Sequence, residues 1–236
     1  MKRPPLIYPV ERLDLRFEPK PWPFAVERRT EIDALFADLQ RKNPALWNGR
    51  VLVLHRQVVR EGVFHGAFLE TDYASFVAWA QWGRPASAGI HDCFSAAAIL
   101  SADGAFVLGQ MAAHTFNAGQ IYFPAGTPDP SDIIDGKVDL EFSARRELKE
   151  ETGLDAAEFT AEPGWTSVVD GALIVLIKVL RSDQNAEALR GRILAQLGQQ
   201  KQPEFSGIRI VRGPADFDPA MRAFVTTFLA HRFAAG

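Results

Sequence analysis

Between Ser143 and Leu154 the chain reads SARRELKEETGL, with Glu147, Glu150 and Glu151 spaced three and four residues apart. At helical periodicity these side chains share one face, while Leu148 turns the other way. Gly153 followed by an apolar Leu154 has the form of a helix stop. The carboxylates therefore fall in the final turns, where the helix dipole is negative and like charges repel by about 0.2–0.5 kcal/mol per pair. Three converging carboxylates make a hard oxygen-donor site, and a divalent cation offsets their repulsion. Mg²⁺ suits it best, because it prefers oxygen ligands, keeps several waters and is completed by substrate phosphates, with Mn²⁺ as the alternative ion. Arg146, one turn before Glu150, can hold that carboxylate in orientation. The plainer alternative is a solvated helix laced with pairs such as Arg146–Glu150.

The elements around this helix can be read from patterning. RLDLRFEP alternates Leu13, Leu15 and Phe17 as a half-buried strand does, and Pro19, Pro21 and Pro23 stop it. TEIDALFADLQRKNP sets Ile32, Leu35, Phe36 and Leu39 at helical spacing. GRVLVLHRQVV and GVFHGAFLE flank Glu61-Gly62 as a hairpin, and Thr71 or Asp72 can cap the helix that follows. RPASAG is the most linker-like stretch, which predicts an N-terminal α+β region over residues 1–86 and a second domain over 87–236. From Phe94 onward, strands (CFSAAAIL, AFVLGQM, IYFPAG) lead through a Pro/Asp-rich loop into the glutamate helix, with Asp139 as its predicted N-cap. Two strands turning at Asp170-Gly171, a helix near Ala186–Leu197, the strand GIRIV and a helix near Pro219–Phe233 complete the pattern. Strands interleaved with helices predict an α/β fold with a mixed sheet.

Composition narrows the function classes. The chain has 236 residues of which 47% are hydrophobic, enough for a well-buried core, and its formal net charge of −3 supplies no field to attract polymeric nucleic acid or an anionic membrane surface. No apolar run approaches the roughly 20 residues of a membrane span, and Glu11, Arg12 and Asp14 interrupt any signal-like segment, so a cytoplasmic protein is expected. Cys93 is the single cysteine. It sits in an apolar strand pattern and reads as an inert core thiol rather than a nucleophile.

RELKEETGL, Arg146 to Leu154, resembles the second half of the Nudix box, whose pattern ends Arg-Glu-apolar-x-Glu-Glu-x-Gly-apolar, and every fixed position of that half is matched. YFPAG upstream resembles the strand that delivers the chain to this helix in the same family. The first half departs from the pattern. Val138 stands where the family has a glutamate eight residues before the arginine, and Asp132 where it has a glycine. Gly126 fills the glycine's role only if TPDPSDIIDGK contains an insertion, and Asp139 or Glu141 lie close enough to replace the lost carboxylate. NPALWNGRVLVLH, TDYASFVAWAQWG and FPAGTPDP are similar to a branch of Nudix proteins with an extra N-terminal region that includes UDP-sugar pyrophosphatases.

The resemblance implies a Nudix-type α/β/α sandwich and hydrolysis of the pyrophosphate bond in a nucleoside diphosphate linked to another group, a UDP-sugar first and ADP-ribose or a dinucleotide next. It implies metal binding by Glu147, Glu150 and Glu151 and catalytic roles for Arg146, Glu150 and Glu151. Arg145 and His114, the latter in the glycine-bearing loop MAAHTFNAGQ, are candidate phosphate-binding residues. Glu204, Asp170 and Asp216 are candidate general bases outside the box, and Trp79, Trp82 and Tyr73 either stack on substrate or form a helix's apolar face. The partner implied is a small-molecule nucleotide, with a homodimer as the default assembly. The alternative reading is a Nudix-fold module that binds a nucleotide as a sensor without hydrolysing it.

Overall fold

The computed structural model describes residues 4–44 and 46–235. The first part of the chain forms strands β1 (Leu6–Val10) and β2 (Arg12–Phe17), helices α1 (Pro23–Glu27) and α2 (Arg29–Lys42), then β3 (Arg50–Arg60), β4 (Val63–Asp72) and helix α3 (Tyr73–Gln81). Next come β5 (Asp92–Leu100), β6 (Phe106–Met111), β7 (Ile121–Tyr122), β8 (Ile133–Ile134), β9 (Lys137–Val138) and helix α4 (Leu140–Thr152). The chain ends with β10 (Thr160–Ala161), β11 (Trp165–Asp170), β12 (Leu173–Arg181), α5 (Ala186–Leu197), β13 (Phe205–Val211) and α6 (Ala223–Ala235). The mixed α/β class expected from the sequence is the class observed.

Contacts divide the chain into two compact units that are not consecutive stretches. One comprises residues 1–11, 94–126 and 141–236; the other comprises 12–93 and 127–140. The first is built on an eight-stranded sheet in the order β1-β11-β12-β5-β6-β13, with β10 alongside β12 and β7 alongside β6. Nearly every residue of β5 and β12 is buried, as expected for central strands covered on both faces. Leu148 of α4, Leu189 and Ile193 of α5, and Phe224 and Phe228 of α6 share one core with them. Edge-to-face rings, Phe106 on Phe228 at 5.7 Å and Phe123 on Phe228 at 5.5 Å between centroids, fill that core.

The second unit carries a five-stranded sheet in the order β3-β4-β2-β9-β8. β2 runs parallel to β4, and the hairpin β3–β4 turns at Glu61-Gly62, both in the left-handed region. Asp72 caps α3 by accepting the Ser75 N–H at 2.9 Å and is held by Arg29 at 3.0 Å. Trp79 is fully buried, packed edge-on to Trp22 at 6.4 Å, and Trp82 lies under the Arg28 guanidinium at 4.1 Å. Tyr73, Trp79 and Trp82 are thus parts of this unit's aromatic packing, the second of the two roles open to them in the sequence. Cys93 is buried, and that burial, with Asp92 beside it, raises its pKa well above the usual thiol value, as expected for an inert core thiol.

The Pro/Asp-rich stretch expected to be a loop contains structure of its own. Asp129 and Asp132 form a reciprocal capping box around a 3₁₀ turn, and Asp135-Gly136, at φ of 50° and 74°, make the two-residue turn between β8 and β9. Asp132 is buried and its carboxylate accepts the Asp129 N–H at 3.0 Å, while Val138 is buried on β9. The two positions that depart from the Nudix box are thereby occupied by a cap and a core contact.

Candidate active site

Helix α4 ends as its sequence requires. Gly153 takes φ of 73° and donates its N–H to Lys149 O at 2.8 Å, and the Thr152 hydroxyl donates to Leu148 O while accepting the Leu154 N–H at 3.1 Å. Leu148 at 0% exposure and Leu154 at 2% anchor the helix in the core. These fixings orient the opposite face, which carries the glutamates.

Glu151 is a carboxylate at 3% exposure. Its Oε2 accepts the Ala125 N–H at 3.0 Å, and Ala125 is itself fixed because neighbouring Pro124 O accepts the Ala97 N–H of β5 at 2.9 Å. Burial first, then Glu147 and Glu204, raise the Glu151 pKa well above the usual carboxylate range, with the Ala125 N–H opposing them. The Arg146 guanidinium reaches Glu147 at 2.8 Å and Glu150 at 3.3 Å, so it orients both carboxylates. A Cβ on Gly126 would collide with the Glu147 carboxylate, so the turn after β7 brings bare backbone against that side chain. Gln200 donates to Glu150 O at 3.1 Å and ties the helix end to the segment before β13.

Two further groups, Tyr122 and Glu204, interact with Glu151. Tyr122, at the end of β7, is buried, its hydroxyl accepts from the Asn117 amide at 3.2 Å, and burial together with Glu151 raises its pKa, against the pull of Asn117 and Arg222. Glu204, whose backbone carbonyl accepts the Ala112 N–H at 2.8 Å, is exposed as a residue, yet its carboxyl is pushed up by desolvation and by Glu150 and drawn down by His114. Glu204 is thus within electrostatic reach of Glu150, Glu151 and His114.

Other candidates from the sequence lie elsewhere. Arg145 is exposed and pairs with Glu141 at 2.6 Å, which engages both of them away from the carboxylate set. Asp216 accepts the Arg212 and Gly213 N–H groups at 2.7 and 3.2 Å and serves a turn. Asp170 ends β11. Asp139 donates its N–H to Asp132 O at 2.8 Å. Sequence reasoning did not single out Tyr122, Asn117, Arg222 or the Ala125 N–H; Tyr122 and Ala125 lay in the YFPAG segment, but the others carried no local signal.

Among the described residues no three His, Cys, Asp or Glu side chains converge closely enough to hold a metal ion as they stand, so the tight convergence expected of Glu147, Glu150 and Glu151 is not what their side chains adopt. The Arg146 guanidinium, in reach of Glu147 and Glu150, accounts for part of that arrangement. The donor set still fits a hard divalent cation: every donor is a carboxylate oxygen, and a buried, like-charge-strained Glu151 gains from a nearby positive charge. No helix among the described residues is long and apolar enough to cross a membrane.

A NUDIX domain model matches residues 90–209, just over half of the chain. This chain belongs to the Nudix family. Nudix hydrolases cleave a pyrophosphate bond in small nucleotide substrates and generally use divalent metal ions, and this Nudix protein is a pyrophosphohydrolase. Solved structures to which it is similar include a Nudix hydrolase from M. smegmatis, RenU (17% identity, TM-score 0.39, 61% of this chain and 86% of that one), and a MutT protein from Methanosarcina mazei Go1 (18% identity, TM-score 0.40, 61% and 94%). A comparison with curated proteins gave no match.

Proposed function

We propose that this Nudix protein is a Mg²⁺-dependent hydrolase of a nucleoside diphosphate linked to another group, with a UDP-sugar as the first substrate. The observation that carries the reading is the buried Glu151, fixed by the Ala125 N–H and flanked by Glu147 and Glu204. Water adds across one P–O–P link and two phosphate products leave. When bound, the divalent ion supplies charge neutralisation on the diphosphate and acidifies the attacking water.

The chain's own residues divide the remaining work. Glu147, Glu150 and Glu151 would hold the ion, and Arg146 keeps Glu147 and Glu150 aimed. Glu204 accepts the proton of the attacking water at its carboxylate, which desolvation and Glu150 make more basic than an ordinary glutamate. His114, beside Glu204, meets the substrate phosphates. Arg145 would contribute a phosphate contact only by releasing Glu141. The UDP-sugar preference rests on the similarity of NPALWNGRVLVLH, TDYASFVAWAQWG and FPAGTPDP to the branch described above.

The test is a product assay with Mg²⁺ over UDP-glucose, ADP-ribose, dinucleotides and nucleoside triphosphates, for the native chain and Glu151→Gln. Turnover of UDP-glucose above the rest that disappears in the variant is the expected result. Preference for ADP-ribose or a dinucleotide overturns the sugar assignment, and turnover unchanged in Glu151→Gln overturns the site.

A further inference from the structure

One face of the second unit's sheet carries a depression of about 260 Å³ over β2, β4 and β3. Strand register explains its lining. The ladder between β3 and β4 shifts between Leu54 and Arg56, leaving His55 as an extra residue. That bulge reverses the face on which alternate residues stand, so Arg56, Val58 and Arg60 oppose Ala67, His65 and Val63, whereas Leu54 opposes Phe68. On the other side of β4, Asp14 stands opposite His65 and Arg16 opposite Ala67. The lining therefore gathers Arg16, Arg56 and Arg60 with one carboxylate, Asp14, on a chain whose net charge is negative.

That carboxylate is already engaged. Asp14 meets His65 Nδ1 at 3.0 Å and Lys137 at 3.8 Å, and Arg56 is held by Glu18 at 2.5 Å. Arg16 and Arg60 are exposed and have no carboxylate within ion-pair distance among the described residues. A sheet face ordinarily pairs opposite charges across strands, and like charges gathered there are destabilising. An anion resolves the arrangement. A volume below that of drug-sized pockets has room for a phosphate and part of the small molecule that bears it, and guanidinium forks match phosphate oxygens.

We propose that this depression binds the dianionic phosphate of a small molecule, separately from the glutamate helix. The inference goes beyond the hydrolase reading and does not depend on it. The experiment is calorimetric titration of the full chain, in EDTA, with inorganic phosphate and with UMP. The native chain is compared with Arg16→Gln/Arg60→Gln, with the single Arg60→Gln in case the double variant is poorly folded, and with Glu151→Gln. One site per chain is expected, weakened about tenfold for each arginine lost, weakened by salt and unchanged in Glu151→Gln. UMP tighter than phosphate identifies a nucleotide as the source, and equal affinities identify free phosphate. Binding that survives both arginine variants at full strength, binding lost in Glu151→Gln, or no heat from either probe overturns the site.

Discussion

The carboxylate of Glu151 accepts the N–H of Ala125 across 3.0 Å, joining the last turn of the glutamate helix to the turn that follows β7. One backbone donor is a modest counterweight to burial and the neighbouring carboxylates Glu147, Glu204 and Glu150, so the fold alone disfavours a charged Glu151. The position therefore trades stability for a function.

Replacing Glu151 by Gln separates those two effects. Without divalent ions, in EDTA, the variant should melt at or above the native temperature, because an amide has no charge to desolvate and still gives the Ala125 N–H an acceptor. Mg²⁺ should raise the melting temperature of the native chain and raise that of the variant much less. Turnover should fall by about a hundredfold or more, a loss of at least ~2.7 kcal/mol in transition-state stabilisation. Differential scanning fluorimetry with and without Mg²⁺ reads the first two; a clear drop in the variant's melting temperature in EDTA contradicts the argument.

Gly126 and Gly136 make a matched pair of tests. A Cβ at 126 meets the Glu147 carboxylate, whereas 136 has φ of 74° and open space around it. Gly126→Ala should cut kcat/KM by about tenfold or more with little change in stability, since a misplaced catalytic group is costly to rate. Gly136→Ala should cost about 1 kcal/mol of stability through its strained backbone and leave turnover intact. Equal behaviour of the two variants would show that Gly126 does not shape the site.

Much of this site was legible because helix periodicity is local. Glu147, Glu150, Glu151 and the stop at Gly153 follow from spacing alone, as do β5, β6, β11 and β12 from their apolar runs and their Asp-Gly turns. What escaped depends on distant partners. β1 contains Pro9, which is tolerated because β1 is an edge strand, paired among the described residues with β11 alone. The parallel pairing of β2 with β4 carries no local mark. The Asp135-Gly136 turn was visible as a dipeptide, yet the surrounding Pro and Asp residues made the segment read as a loop, and only pairing of β9 with β2 reveals its strands. Asn117 and Arg222 act on Tyr122, and Tyr122 interacts with Glu151, links between distant positions that no spacing rule connects.

Glu204 offers a test of the proton acceptor. Glu204→Gln keeps size and polarity, so a residue serving only the loop should tolerate it within about threefold, whereas loss of a general base costs about 10²–10⁴ in rate. We expect the larger loss in kcat, with KM and the Mg²⁺ concentration needed for half-activation near native values. A parallel loss of Mg²⁺ response would instead place Glu204 among the groups that hold the ion.

Glu162 connects α6 to the sheet of its own unit: Arg232 donates twice to it, at 2.9 and 2.9 Å, and Arg181 lies 2.6 Å away. Burial raises its pKa, but the Arg232 hydrogen bonds and the two guanidinium charges outweigh that, and the folded value lies below the ordinary 4.5. A depressed carboxylate pKa means that the stabilisation is fully present above the unfolded value and disappears as pH falls through the folded one. At pH 7, Glu162→Gln should therefore cost about 1–2 kcal/mol, or roughly 2–6 °C in melting temperature for a chain of this size. Below pH 4.5 the native and variant melting curves should converge as Glu162 takes up its proton. Melting temperatures of both chains from pH 7 to pH 3 decide the matter: a gap that stays constant over that range, or none at pH 7, shows that the Arg232 pair contributes nothing measurable to the fold.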